Sequence, residues 1–88
     1  MDYEQICEDF LRACKTMQDE AKIRERYEIL KDFSEDDLMD KCDLGVGESI
    51  RARSIIYQVG LYFAEKDPRE RAYIKEDIIR AVDDFYNF

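Results

Sequence analysis

The chain contains no histidine, one proline and three glycines among its 88 residues. Without histidine, general acid and base work falls to carboxylates, and nothing singles out a catalytic pair among 22 acids. No nucleophile with an activating base and no phosphate-binding loop can be assembled, so an enzyme is not expected. With so few glycines and prolines, an all-β sandwich has almost no turn residues to draw on. No apolar run approaches the roughly 18 residues of a membrane span, and no N-terminal signal pattern is visible. Neither secretion nor membrane spanning is expected, which leaves the cytoplasm.

Bases are also in deficit: 14 Lys and Arg stand against 22 Asp and Glu, a formal net charge of −8. Phosphate would be repelled over most of such a surface, so direct nucleic-acid binding is disfavoured and a basic protein partner is favoured. Cys7, Cys14 and Cys42 are odd in number, lack a C-x-x-C spacing and have no histidine to complete a zinc site. Cys7 and Cys14 are seven apart and fall on one helix face, so buried, reduced thiols are expected. No cofactor is expected either.

What remains is 45% apolar and 41% charged, a balance that suits helices. The expectation is an all-α, single-domain helical bundle of four to five helices over residues 1–88. So short a chain buries modest surface, and homodimerisation is one way to add stability.

Tyr3, Cys7, Phe10, Cys14, Met17 and Ala21 follow steps of four and three, the spacing of one helix face. Asp2 is placed to cap that helix, with Gln5 completing a capping box. Ile23, Tyr27 and Leu30 form a second stripe out of phase with the first, which predicts a turn near Gln18 to Glu20, with acids opening the next helix. Ser34 followed by Glu35, Asp36 and Asp37 reads as an N-cap and an acidic first turn, with Leu38, Met39 and Cys42 facing inward. Gly45 reads as the stop of that helix and Gly47 as a flexible entry to the next. From Ser54 to Ala64 no residue is charged, which predicts a central helix, starting near Glu48 and wanting burial on most sides, with Gly60 admitting a close neighbour. Asp67 and Pro68 mark the start of a last helix whose core face is Ile74, Ile78, Ala81, Phe85 and Phe88, with Val82 beside them.

Charge is concentrated in one segment. Residues 32–48 hold seven acids and the single base Lys41, a net −6. Asp32, Ser34, Asp36, Asp40 and Asp43 match the spacing of a calcium loop, but Asp37 stands where the sharp turn needs glycine and Asp43 where a bidentate glutamate is needed. An acidic edge of Glu35, Asp36, Asp37, Asp40 and Asp43 is therefore the candidate partner-binding site. Tyr57, Tyr62, Tyr73 and Tyr86 are candidate interface aromatics, since tyrosine combines apolar area with a polar tip.

In size and charge the chain resembles the small acidic inhibitors that bacteriophages make against restriction or CRISPR nucleases, some of which present acids as mimics of DNA phosphates. That resemblance lies in composition, not in a motif. It implies a non-catalytic viral inhibitor that lays its acids in the basic nucleic-acid groove of its target. A self-associating structural or adaptor protein using the last two helices is the alternative. A DNA-binding regulator with Arg24, Arg26, Arg51 and Arg53 as its basic face ranks last, because the surrounding acids oppose it.

Overall fold

The computed structural model describes residues 1–87. Its elements are α1 (Tyr3–Ala13), α2 (Glu20–Leu30), α3 (Glu35–Cys42), α4 (Val46–Ala64) and α5 (Pro68–Asn87), an all-α bundle with no strand among the described residues. α4 is the hub and packs against α2, α3 and α5, while α1 packs on α2 and α3. One hydrophobic core draws on all five helices, with Phe10, Ile23, Leu38, Val59 and Ile78 among its fully buried side chains. The expected place of Phe88 on the core face lies outside the described residues.

Helix starts are set locally. Asp2 and Asp19 each accept a hydrogen bond at 3.1 Å from the backbone three residues on, at Gln5 and Lys22. The Gln5 side chain donates forward to Asp9 instead of reaching back, so only half of the expected capping box forms. Ser34 and Asp37 form a full box, with Asp37 N–H donating to Ser34 Oγ and Ser34 N–H to Asp37 Oδ2, both at 3.1 Å. Asp67 accepts from Arg69 N–H at 3.0 Å, with Pro68 at the first helical position as the sequence predicts.

Helix ends depart further from expectation. α1 stops at Ala13, and the turn runs through Met17, whose φ of 56° is left-handed. No glycine is available there, but the Met17 side chain is 1% exposed, and its burial offsets the roughly 1 kcal/mol cost of that backbone. Cys14 and Met17 thus reach the core from a turn, and Ala21 is exposed instead of continuing the α1 stripe. Gly45 does not end α3. Asp43 does so, at φ 57°, and the Leu44 N–H closes onto the Leu38 carbonyl at 3.3 Å. Gly45 instead caps α4, its N–H donating to Glu48 Oε1 at 2.9 Å, and Gly47 lies inside the first turn of that helix.

α4, which contains the uncharged run, is covered on one side only. Ala52, Ile55, Ile56, Val59 and Tyr62 are buried, whereas Val46, Ile50, Tyr57 and Leu61 are 68, 51, 61 and 43% exposed. Gly60 does admit a close neighbour: a Cβ there would lie 2.5 Å from the Tyr27 hydroxyl.

Candidate functional site

α3 turns Leu38 and Cys42 into the core, which places Asp36 and Asp40 on its outward side at about 100° per residue. Asp43 follows at the C-cap, and all three are exposed. None of the three is ion-paired among the described residues. Some acids elsewhere have partners: Glu8 with Arg12 at 2.6 Å, Glu28 with Lys31 at 2.7 Å, Glu20 with Arg71 at 3.3 Å. Other acids, Asp83 and Asp84 among them, likewise carry no ion pair among the described residues, so the α3 set is marked by its place on one helix face and its C-cap and not by the lack of partners.

Asp37 differs from its neighbours. The backbone N–H of Ser34 holds its carboxyl below the ordinary carboxylate value, and Lys41, with its ammonium 3.9 Å away, contributes less. Lys41 itself leans over the Phe33 and Tyr3 rings, at 5.1 and 5.9 Å from their centroids, and so away from Asp36 and Asp40. Glu35 turns toward α4, where it borders a groove with Asp32, Asp36 and Arg53 and a shallow hollow with Ile50 and Tyr57. Five candidate acids thus divide into an outward set (Asp36, Asp40, Asp43), a capping residue (Asp37) and one residue directed at a neighbouring helix (Glu35).

Two acids from α1 join the outward set. Glu4, Glu8 and Glu48 stand with Asp43 on the rim of a hollow floored by Cys7, Leu11 and Cys42. A segment-by-segment reading of charge could not find them, because α1 and α3 meet only in the folded chain. Still, the described residues hold no group of three or more carboxylates or thiols that could bind a metal ion. The calcium-like spacing falls largely on α3, where a helix replaces the loop.

The four tyrosines do not form one patch. Tyr62 is 6% exposed and belongs to the core, which corrects its expected place at an interface. The Arg71 guanidinium sits 4.4 Å from its ring centroid and donates through Nε to its carbonyl at 3.2 Å. Burial first, and then the Glu20 carboxylate, push the Tyr62 phenol above its ordinary value. Tyr57 and Tyr73 are 61 and 58% exposed, on α4 and α5. Tyr86 is 40% exposed, with the Lys15 ammonium 4.2 Å over its ring.

The four arginines of a basic face are dispersed as well. Arg24 lies over the Phe63 ring at 4.2 Å, while Arg26 faces Asp9 at 3.7 Å. Arg51 lies 5.9 Å from the Phe85 centroid, and Arg53 borders the groove with Asp32 and Glu35. Residues two apart on a helix point about 200° apart, so neither pair can share a face.

The thiols are free and buried. Cys7 and Cys42, from α1 and α3, line one hollow, and Cys42 Sγ–H donates to the Tyr3 carbonyl at 3.5 Å. Burial, with Cys42 adding to it, pushes Cys7 up to about 12, and burial alone pushes Cys14 up to about 12. Neither is a nucleophile near neutral pH.

Fold and surface together define a class: a small five-helix protein with an acidic outward face and no helix, among the described residues, long and apolar enough to cross a membrane. No protein-family model, no curated protein and no solved structure matches this chain.

Proposed function

We propose that this protein is a non-catalytic, cytoplasmic interaction module whose α3 acids occupy the basic nucleic-acid groove of a partner protein, in the manner of a phage inhibitor of a restriction or CRISPR nuclease. The supporting observation is the uncompensated outward face: Asp36, Asp40 and Asp43 are exposed and carry no ion pair among the described residues. Asp40 in particular works against local stability. Asp36 and Asp40 are like charges at i and i+4, and Asp40 and Asp43 sit near a helix C-terminus, where acids are unfavourable by a few tenths of a kcal/mol. Helix formation accounts for Asp36 in the first turn and for Asp43 as the left-handed C-cap but not for Asp40, whereas attraction to Lys and Arg side chains would use all three. Glu4 and Glu48 widen the same acidic surface.

The test separates these acids from the capping one. Asp36→Asn, Asp40→Asn and Asp43→Asn together remove three charges while sparing the Ser34 and Asp37 box, and asparagine tolerates the left-handed backbone at position 43. The wild-type chain is immobilised to capture partners from a bacterial lysate at low and at high salt. Captured nuclease should release duplex DNA when the wild type is added, and binding should weaken steeply with salt. The triple variant should lose both effects, and a control pair, Asp83→Asn with Asp84→Asn, should retain them. Equal capture and equal salt dependence for wild type and triple variant would sink the proposal.

A further inference from the structure

The outward face of α4 carries a second surface that the acidic face does not explain. Val46, Ile50, Tyr57 and Leu61 are each 43 to 68% exposed, and on a helix at about 100° per residue they fall within one narrow stripe opposite the buried face. Arg53 and Ser54 flank the stripe on its two edges, so no acid interrupts it. The lack of charge from Ser54 to Ala64 is thus only half used by the core.

The spacing of the stripe is the informative feature. Its large residues are separated by four, seven and four positions, a pattern that reads the same in both directions about a point between Arg53 and Ser54. Two such helices laid antiparallel across a two-fold axis at that point place Val46 against Leu61 and Ile50 against Tyr57, each contact made twice. A closed two-fold interface requires this self-complementarity. The small Ser54, on the edge of the seam opposite Arg53, leaves that edge open at its midpoint. The axis brings both Arg53 side chains to one edge of the seam, and that edge is the groove bordered by Asp32 and Glu35, so each copy offers acids to the other's guanidinium.

We infer that α4 pairs with the α4 of a second copy, antiparallel and in this register, to form a two-fold homodimer. The stripe presents roughly 400 Å² of exposed surface, within the range of about 300 to 600 Å² for the largest patch of a typical monomer, which is often functional. This is about half of the roughly 800 Å² that each partner contributes to a standard interface, so the dimer is a weak one that depends on concentration. A net charge of −8 on each copy opposes it at low salt. Added salt screens that repulsion and leaves apolar contacts intact, so dimerisation strengthens with salt while binding to a basic partner weakens.

Sedimentation equilibrium over a wide concentration range, at low and at high salt, tests this. The mass should rise from 10.6 kDa toward twice that value, more readily at high salt. Ile50→Asp occurs twice in the interface and should weaken dimerisation at least about tenfold, and Leu61→Asp should do the same. Both positions are exposed in the single copy, so helical circular dichroism, and the thermal midpoint at concentrations low enough to leave the wild type monomeric, should be unchanged. Adding Tyr57→Lys to Ile50→Asp should restore the dimer, because only this antiparallel register sets those two positions against each other. A monomer at every concentration, a dimer indifferent to Ile50→Asp, or failure of the Tyr57→Lys rescue overturns the inference. None of these outcomes touches the acidic face, since Ile50→Asp leaves Asp36, Asp40 and Asp43 in place.

Discussion

The outward faces of α3 and α4 adjoin, and they are opposite in kind. That of α3 is charged and uncompensated, through Asp36, Asp40 and Asp43; that of α4 is apolar, through Val46, Ile50, Tyr57 and Leu61. Both helices are held by their inward sides: Leu38 and Cys42 for α3, and Ala52, Ile55, Ile56, Val59 and Tyr62 for α4. Stability and surface chemistry are thus carried by different residues of the same helices. Either face should therefore be open to change without loss of the fold.

The sharpest way to break that comparison is to make equal cuts on the two sides of α4. Ile56 is 1% exposed and Ile50 is 51% exposed. Ile56→Ala should cost about 2 to 5 kcal/mol, whereas Ile50→Ala should stay within about 0.5 kcal/mol, since alanine also favours helix. Urea denaturation measures both. Equal losses would mean that the α4 stripe belongs to the core.

Beneath both faces, the buried thiols give a pH signature. Cys7 and Cys14 remain protonated in the fold up to about 12 and ionise near 9.0 once unfolded. Between those values the unfolded chain binds fewer protons, so the thiols' contribution is complete below pH 9.0 and is lost as pH rises toward 12. One pH unit above the unfolded value, each thiol should cost about 1.4 kcal/mol. Replacing both by Ala should flatten this part of the profile, although it lowers stability at neutral pH. An unchanged slope in the double variant would assign the alkaline loss to other groups.

Smaller effects separate capping from display on α3. Ser34→Ala removes the acceptor of the Asp37 N–H and should cost about 1 kcal/mol. Asp37, held below its ordinary value, favours the fold at neutral pH, and that contribution is lost as pH falls below 3.8. Asp36→Asn with Asp40→Asn should change stability by no more than about 0.5 kcal/mol, as expected of exposed acids without partners. Thermal midpoints of the three proteins make the comparison. A large loss from the Asn pair would show that these acids hold the helix and are not free for a partner.

Much of the architecture is legible in the sequence, and the parts that are legible are local. Asp2, Ser34 and the Asp67–Pro68 pair announce helix starts because a side chain there bonds a backbone N–H two or three residues away, or a proline ring presets φ. The acidic segment is legible for the same reason, since charge is a property of each residue. The turn between α1 and α2 is only half legible. Two stripes out of phase require a break, but its place depends on Met17 holding a left-handed backbone through burial. Asp43 took the role assigned to Gly45 because an aspartate can adopt that conformation at modest cost once Leu44 closes onto Leu38.

By itself, then, the sequence determined that the chain is helical, where most helices begin, and where its negative charge is concentrated. Tertiary structure alone decided that Cys7 and Cys42 share one hollow, that Glu20 and Arg71 close on Tyr62, and that Glu35 reaches the hollow beside Ile50 and Tyr57 on α4 while Asp40 stays exposed. It also decided which side of the uncharged run is covered, with Tyr62 inside and Tyr57 outside. The reason is that hydrophobic attraction has no direction of its own. A run apolar on every side can satisfy it equally well on any face, so the choice falls to the helices that pack against α4, which are α2, α3 and α5.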